Sequence, residues 1–402
     1  MPSAVPDLLH LTPFPAAGAQ RPPAGVPAFV SRLVPAYARA GADHQLVLAD
    51  RAEPGPPVIE TPHPGVRVSR AYSPGVRFGR VRAQFSRHRP GVVHAQHEVF
   101  LYGGPAAALQ FPGVMRTARR RGHACVVTVH GVVDLTTVDR DFVDSNGSRM
   151  PPRAVRALLR RLIRGAALGG DAVIVHDEGL AARLVDQYEV RAERVTVIPL
   201  PAPDATPVPR DEARATLGFE RPTVLFFGFV TGYKGLPLLL DGWERYRAAG
   251  GVAELVVAGG RHPRLAGDPA YERGYAASMA RAEAIGGVRW EGYVGDEQVP
   301  AYLSAADALV LPYRDGLSAS GPMSFAFAYG LPVLASDVLA ESAPHPGGVF
   351  PRDADALAAV LRDALETPLA GELAEASREA GTRRSLGAVA DATVDLYRRV
   401  AG

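Results

Sequence analysis

The stretch Thr223–Trp243, TVLFFGFVTGYKGLPLLLDGW, decides how the rest of the chain is read. Val224–Phe227 has the length and character of a buried strand, Gly228–Gly235 is a glycine-rich loop, and the segment after it opens a helix. The loop carries Lys234, the only lysine among 44 basic residues. A compact ammonium on a turn between a strand and a helix N-terminus suits an anion, most simply a diphosphate. Backbone N–H groups and the helix dipole point at such a ligand, and the amine adds a point charge. A solvated surface lysine is the alternative reading.

GFVTGYKGLPLLL resembles the start of the C-terminal domain in GT-B glycosyltransferases of the large retaining family 4. Those proteins show a strand, Gly-Arg, a short loop and Lys-Gly. One branch has Tyr-Lys-Gly with an aromatic or aliphatic residue in the Arg position, as Phe229 is here. The resemblance implies that Lys234, on the loop that Gly228 opens, contacts the diphosphate of a nucleotide-sugar donor.

With 402 residues the chain is long enough for two domains, and 47% hydrophobic with 21% charged residues describes a soluble globular protein. No apolar run approaches a membrane span, and the N-terminal MPSAVPDLLHLTPFP has no basic region and is broken by prolines. The single Cys125 excludes an internal disulfide and fits a reducing compartment, so the cytoplasm is expected. Net charge is +2, divided as +8 over residues 1–205 and −6 over residues 206–402. Either an anionic partner or the inner membrane face meets the basic half, or the asymmetry reflects a compositional preference for Arg.

In the N-terminal half, Leu8–Leu11 and Gln45–Leu48 are strand candidates. A Pro/Gly/Ala loop, Thr12–Gly25, leads into a helix with Pro27 near its start and apolar residues from Phe29 to Tyr37 at helical spacing. Arg67–Arg89 carries seven arginines among Tyr72, Phe78 and Phe85. Single-stranded nucleic acid binds such interleaving, but no nucleic-acid motif accompanies it, so a solvated Arg-rich helix-and-turn region is expected and no nucleic-acid partner. Gly91–His97, GVVHAQH, is a strand ending in polar residues, and His94 or His97 is expected to pack at its end near a cleft. No Cys/His/Asp set has ligand spacing, and no metal is expected. ACVVTV (124–129) is a buried strand with His130 at its carboxyl end, where ligands gather in open α/β sheets. The acidic loop from Asp134 to Asp144 reads as an acceptor-binding or lid segment, or as an ordinary loop. Arg149–Arg164 is a basic amphipathic helix, read as a surface helix packed on the sheet, with membrane docking as the alternative. Five prolines in Pro199–Pro209 mark the linker between domains 1–203 and 204–385.

The resemblance adds roles here. The family's first loop packs over the donor phosphates, which implies Gly25. A His in the T-x-H-G context contacts the donor sugar, which implies His130. HAQHEVFLYGG is similar to segments of some members, and His97 and Asp134 are the acceptor-side candidates.

In the C-terminal half, AELVVA ends in Gly259-Gly260, and Arg261 follows as a ligand contact or a loop arginine. VRWEGY (288–293) turns into a helix near Val299, and the family holds its nucleotide base at this turn, which implies Tyr293 and Val294. ALVLPY (308–313) runs into a Ser/Gly loop at a helix N-terminus, a second anion cradle holding Ser318, Ser320 and Gly321. LPYRDGLSASGPMSFAFAYGLPVLASD is similar to the branch reading L-P-Y-R…S-G…A-x-x-x-G-x-P-V. Most of the family carries Glu-x7-Glu there; those positions are Leu317 and Phe325, and Met323 and Ser324 are the expected stand-ins near sugar or ribose. The last helix, near Leu386–Val400, crosses back to the N-domain in the resembled fold.

Two Rossmann-like α/β domains facing a cleft, the GT-B arrangement, are therefore expected. The leading function is a retaining, sugar-nucleotide-dependent glycosyltransferase needing no metal or resident cofactor, with Lys234 and His130 as its catalytic residues. The resemblance implies that the departing phosphate takes the acceptor proton. A degenerate binding or partner subunit, and a GT-B phosphorylase or epimerase, remain open. A nicotinamide dehydrogenase is disfavoured because no strand-linked G-x-G-x-x-G is present.

Overall fold

The computed structural model describes residues 5, 7–16, 25–51, 59–73, 75, 78–89, 91–145, 148–263 and 265–402. Residues 17–24 of the first loop and Arg77 of the arginine-rich segment lie outside them. The chain divides into two compact units: Met1–Leu200 with Leu317–Ala319 and Leu386–Gly402, and Pro201–Gly316 with Ser320–Ser385.

The first unit is built on eight strands among the described residues: β1 (Leu8–Leu11), β2 (Gln45–Asp50), β3 (Ile59–His63), β4 (Val66–Tyr72), β5 (Val92–His97), β6 (Ala124–Val129), β7 (Ala172–Val175) and β8 (Val195–Val197). Their order is β3-β4-β2-β1-β5-β6-β7-β8, and only β3 runs antiparallel to its neighbour. Helices cover both faces, so both residue parities must be apolar, which is why these segments read as unbroken hydrophobic runs. Leu9, Leu11, Val93, Ala95 and Val127 pack on one side with Phe111, Met115 and Ile163. Leu8, Val92, Val126 and Ile174 pack on the other with Tyr37, Val389 and Tyr397, the last two from the helix Leu386–Ala401.

The arginine-rich segment contains its expected solvated helix at Gly79–Arg87, but its first part differs from the expected form. Val66–Tyr72 is a strand inside the sheet, and Arg70 is buried. Its guanidinium donates to Glu60 Oε1 (2.8 Å), to the Phe14 carbonyl (2.6 Å) and to the Pro15 carbonyl (2.7 Å), and those partners offset the desolvation of the charge. The alternation of Val66 and Val68 is the strand signal that the arginines hid. The helix Pro152–Ala167 is a surface helix, and three of its arginines are committed within the unit: Arg156 to the Val138 carbonyl, Arg160 to Glu189, Arg164 to the Tyr188 carbonyl. Among the described residues no helix is long and apolar enough to cross a membrane.

The second unit has six strands among the described residues: β9 (Thr223–Phe227), β10 (Glu254–Ala258), β11 (Val288–Trp290), β12 (Ala308–Leu311), β13 (Val333–Ser336) and β14 (Val349–Phe350). All pairs are parallel, in the order β11-β10-β9-β12-β13-β14. The chain moves outward from β9 through β11 and then returns to β12, so the strand order reverses between β9 and β12. Ligands of open α/β sheets bind at such a switch point, outside the carboxyl ends of the strands.

Candidate functional site

The loops leaving β9 and β12 are joined by short contacts. After β9 the chain runs along the end of β10: Gly228 N–H donates to the Ala258 carbonyl (3.0 Å) and Val230 N–H to the Gly260 carbonyl (2.9 Å). A β-carbon on Gly259 would press into Val230 Cγ2 (2.9 Å) and the Gly228 carbonyl (3.2 Å), so glycine lets the two segments approach. A single 3-10 turn, Gly232–Lys234, then turns into the helix Leu236–Ala248 through Gly235. Arg314 N–H, just beyond β12, donates to the Tyr233 carbonyl (2.7 Å), and the Tyr233 ring stands edge-on to Tyr313 (5.6 Å). The Tyr313 hydroxyl hydrogen-bonds Ser320 Oγ (3.1 Å), and Ser336 Oγ donates to the Tyr313 carbonyl (2.6 Å).

Lys234 ends up 7% exposed. Among the described residues no carboxylate pairs with its amine, and burial is the one cause acting on its charge. Burial pulls its pKa from 10.5 down to about 8. Gly228 has φ +105°, and a β-carbon there would lie 2.6 Å from the Lys234 amine and 3.4 Å from Pro322 Cγ. Amine and proline ring therefore converge on the space that this glycine leaves open.

Pro322 belongs to the first turn of the helix Gly321–Tyr329. Ser320 is its N-cap and accepts from Met323 N–H (3.3 Å). Pro322 has no N–H and the Met323 amide is taken by the Ser320 cap, so Gly321 carries the remaining amide of that turn. Met323 and Ser324, expected near a sugar or ribose, are both buried. Met323 is 1% exposed and packs in the core, and the Ser324 hydroxyl, 4% exposed, donates back to the Ser320 carbonyl at 3.4 Å. Ser318 falls in the tripeptide grouped with the first unit, where it forms an isolated bridge with Gly131.

Beyond β11, Tyr293 is 58% exposed while Val294 packs in the core. The Tyr293 ring lies nearly parallel to Phe229 (6.2 Å, 17°), and His262 meets Phe229 edge-on (5.6 Å). Gly260 makes room for Tyr293, whose Cβ lies 2.8 Å from where a glycine β-carbon would be. Phe229 stands out in the sequence only as the residue in the family's Arg position, with no role given to it, and His262 was not singled out. Arg261 is committed within the protein, donating to Glu272 (2.8 Å) and lying over the Tyr275 ring (4.3 Å).

In the first unit, His130 follows β6 and is 8% exposed. Both ring nitrogens have protein partners: Nε2 lies 2.7 Å from Gln96 Oε1 and Nδ1 lies 3.0 Å from His176 Nε2. Phe29 stands edge-on to both imidazoles (5.1 and 5.6 Å). Burial, then the neighbouring His176, His94 and His97, holds His130 well below the usual histidine range, so the ring is neutral at ordinary pH. Gly25 caps the helix Val26–Arg39 at φ 62°, with open space where a β-carbon would be.

His97 is the last residue of β5 and His94 lies within the strand; both are buried. The His97 ring is 1% exposed, packs on Phe111 (5.0 Å) and, among the described residues, has no hydrogen-bond partner at either nitrogen. Asp134 is occupied with its own loop: Oδ1 accepts from Thr136 N–H (2.9 Å), the Thr136 hydroxyl (2.6 Å) and Gln187 Nε2 (3.0 Å). Partial burial alone would raise its pKa, but these bonds and Arg183 outweigh that and lower it. Among the described residues no group of three or more His, Cys, Asp or Glu is arranged to hold a metal ion.

Comparison with known proteins bears on this arrangement. A family model described as a glycosyl transferase 4-like domain matches residues 24–201, and one described as glycosyl transferases group 1 matches residues 221–367. Among solved structures, sucrose-phosphate synthase from Thermosynechococcus elongatus is 21% identical, with a TM-score of 0.73 and 98% of each chain covered. Anabaena HepE in complex with UDP and glucose is 15% identical (TM-score 0.66, 97% of this chain and 99% of that one). The α,α-trehalose 6-phosphate synthase of Burkholderia multivorans is 13% identical (TM-score 0.68, 99% and 97%). No curated protein sequence gives a match. At these identities the solved structures speak for the fold alone, and the family models speak for the kind of protein. The chain carries a glycosyl transferase 4-like domain over residues 24–201 and a glycosyl transferases group 1 domain over residues 221–367, on the two-domain GT-B fold.

Proposed function

We propose that this glycosyltransferase takes its sugar from a nucleoside diphosphate donor and transfers it with retention of configuration. Lys234 and the Gly321 amide hold the diphosphate, Phe229 and Tyr293 take the base, and His130 is the sugar-facing residue. The bond from the anomeric carbon to the phosphate oxygen breaks, its electrons leave with the diphosphate, and that phosphate takes the proton of the incoming hydroxyl. One observation carries the reading: the Lys234 amine is buried without a counter-charge among the described residues. An unpaired buried ammonium is unfavourable, and a diphosphate against it removes the penalty. A preorganised cation of this kind lowers the barrier to diphosphate departure by about 3–4 kcal/mol.

UDP is the first nucleotide to test, because the HepE structures contain UDP or UDP-glucose and similar trehalose-phosphate synthases are UDP-forming. Calorimetric titration with UDP, UMP and uridine, followed by a nucleotide-sugar panel read by mass, checks the proposal. Binding that requires the diphosphate, with sugar transfer from one donor, is expected. A second reading has one observation behind it: Phe325, at a position where the family carries Glu, stands edge-on to Phe227 (5.8 Å). Absence of any nucleotide binding would favour that reading, a binding or partner subunit. Free sugar phosphate or an epimerised donor would favour a phosphorylase or epimerase.

A further inference from the structure

A row of hydrogen bonds lies beneath His130, and its sense is set at one end. His176, just after β7, places Nδ1 2.9 Å from the Ile198 carbonyl, which can only accept. His176 therefore carries its proton on Nδ1, and a neutral His176 offers a lone pair at Nε2. That lone pair faces His130 Nδ1 at 3.0 Å, so His130 must donate there and keep its own lone pair on Nε2. Continuing away from Ile198, the Gln96 carboxamide lies 2.7 Å from His130 Nε2 and 3.2 Å from His94 Nε2. His94 Nδ1 in turn lies 2.6 Å from the Tyr397 hydroxyl on the last helix.

Two proton arrangements satisfy these distances. With Gln96 Oε1 toward His130, His130 donates from Nε2, and the His130–His176 hydrogen bond must then be donated by His176. His176 would be doubly protonated. With the carboxamide turned half a revolution, which exchanges oxygen and nitrogen without changing its shape, every imidazole is neutral. The bonds then run in one direction from Tyr397 to Ile198. Burial lowers the pKa of His176, His130 and His94 and selects the neutral arrangement.

We propose that His176 is a positioning residue that fixes His130 as the Nδ1–H tautomer, with Gln96 donating to Nε2. The proposal rests on the reading of His130 as the sugar-facing residue. Its consequence for transfer is electrostatic: the buried ring is neutral, and a fixed tautomer holds its dipole in one orientation beside an anomeric carbon that becomes cationic as the diphosphate leaves. Gln at position 176 preserves the device, since its amide N–H donates to Ile198 and its oxygen accepts from His130. Phe at 176 removes both functions while keeping the ring volume.

The test uses the full chain labelled with 15N-histidine. Imidazole nitrogen shifts between pH 6 and 8 report the tautomer, and kcat and KM for transfer are measured beside them. The wild type and His176→Gln are expected to show His130 protonated on Nδ1 alone. His176→Phe is expected to shift His130 toward Nε2–H and to lower kcat at least fivefold with KM within twofold. Nε2–H in the wild type, or an unchanged tautomer in His176→Phe, would overturn the proposal. A His130→Ala variant that transfers sugar at the wild-type rate would instead remove the role given to His130, leaving the tautomer result to stand by itself.

Discussion

The Lys234 amine lies 2.6 Å from the point that a β-carbon on Gly228 would occupy. The glycine is needed twice over, for its φ of +105° and for the space it leaves to the amine. Gly228→Ala is expected to cost about 1–3 kcal/mol of stability from backbone strain. The same change pushes the amine off its position, so transfer should fall tenfold or more. Thermal unfolding with kcat/KM measurements separates the two effects, and a variant with full activity would show that the amine has no fixed place.

Donor binding should carry a pH signature. Lys234 has its pKa lowered to about 8 in the free protein, and a bound diphosphate favours the ammonium and raises it. Binding above pH 8 is then expected to take up a proton, and affinity for UDP to weaken as pH rises from 8 to 9.5. Calorimetry in two buffers of different ionisation enthalpy measures the uptake. The stability sign follows from the same shift. The folded pKa lies below the unfolded value, so between about pH 8 and 10.5 the unfolded chain holds more protons and stability rises with pH. The full rise is on the order of 3 kcal/mol. The rise should be missing in Lys234→Met, when the two proteins are compared in denaturant at pH 7 and pH 10.

The stacked pair Phe229 and Tyr293 should contribute through the base alone. Replacing either by Ala is expected to weaken UDP binding by about 1–3 kcal/mol, the usual range for base–aromatic stacking. Affinity for inorganic pyrophosphate should stay within twofold. Equal losses for both ligands would mean that the aromatic residues support the loop and not the nucleotide.

Arg70 gives a prediction about stability and not chemistry. Arg70→Ala leaves Glu60 and the Phe14 and Pro15 carbonyls without their donor. A loss of about 3 kcal/mol is expected, at the low end for breaking a buried pair because Glu60 is 23% exposed. Denaturant unfolding measures it, and a change under 0.5 kcal/mol would contradict the role given to this side chain.

Much of the architecture is legible in the sequence because each central strand is buried on both faces. Val224–Phe227 and Ala308–Leu311 then read as plain apolar runs. Lys234 is legible for a different reason: its residue type is unique in a chain that otherwise uses arginine. Strand β4 was hidden because its inward arginine is neutralised by Glu60, 10 residues away, a partner that composition does not reveal. Gln96 and His176 were invisible as partners of His130 because their proximity depends on sheet register, which places Gln96 opposite Thr128 on adjacent strands. The burial of Met323 and Ser324 was not legible for a rotational reason. Counting from a motif locates a residue along a helix, but the packing of the first turn decides which way it faces.

Sugar transfer by Lys234→Ala and Lys234→Arg, each checked for an unchanged unfolding midpoint, tests the central claim most directly. The account expects kcat/KM to fall at least tenfold in Lys234→Ala, and Lys234→Arg to recover only part of it because the space beside Gly228 fits an amine and not a guanidinium. Wild-type rates in a folded Lys234→Ala protein would contradict it.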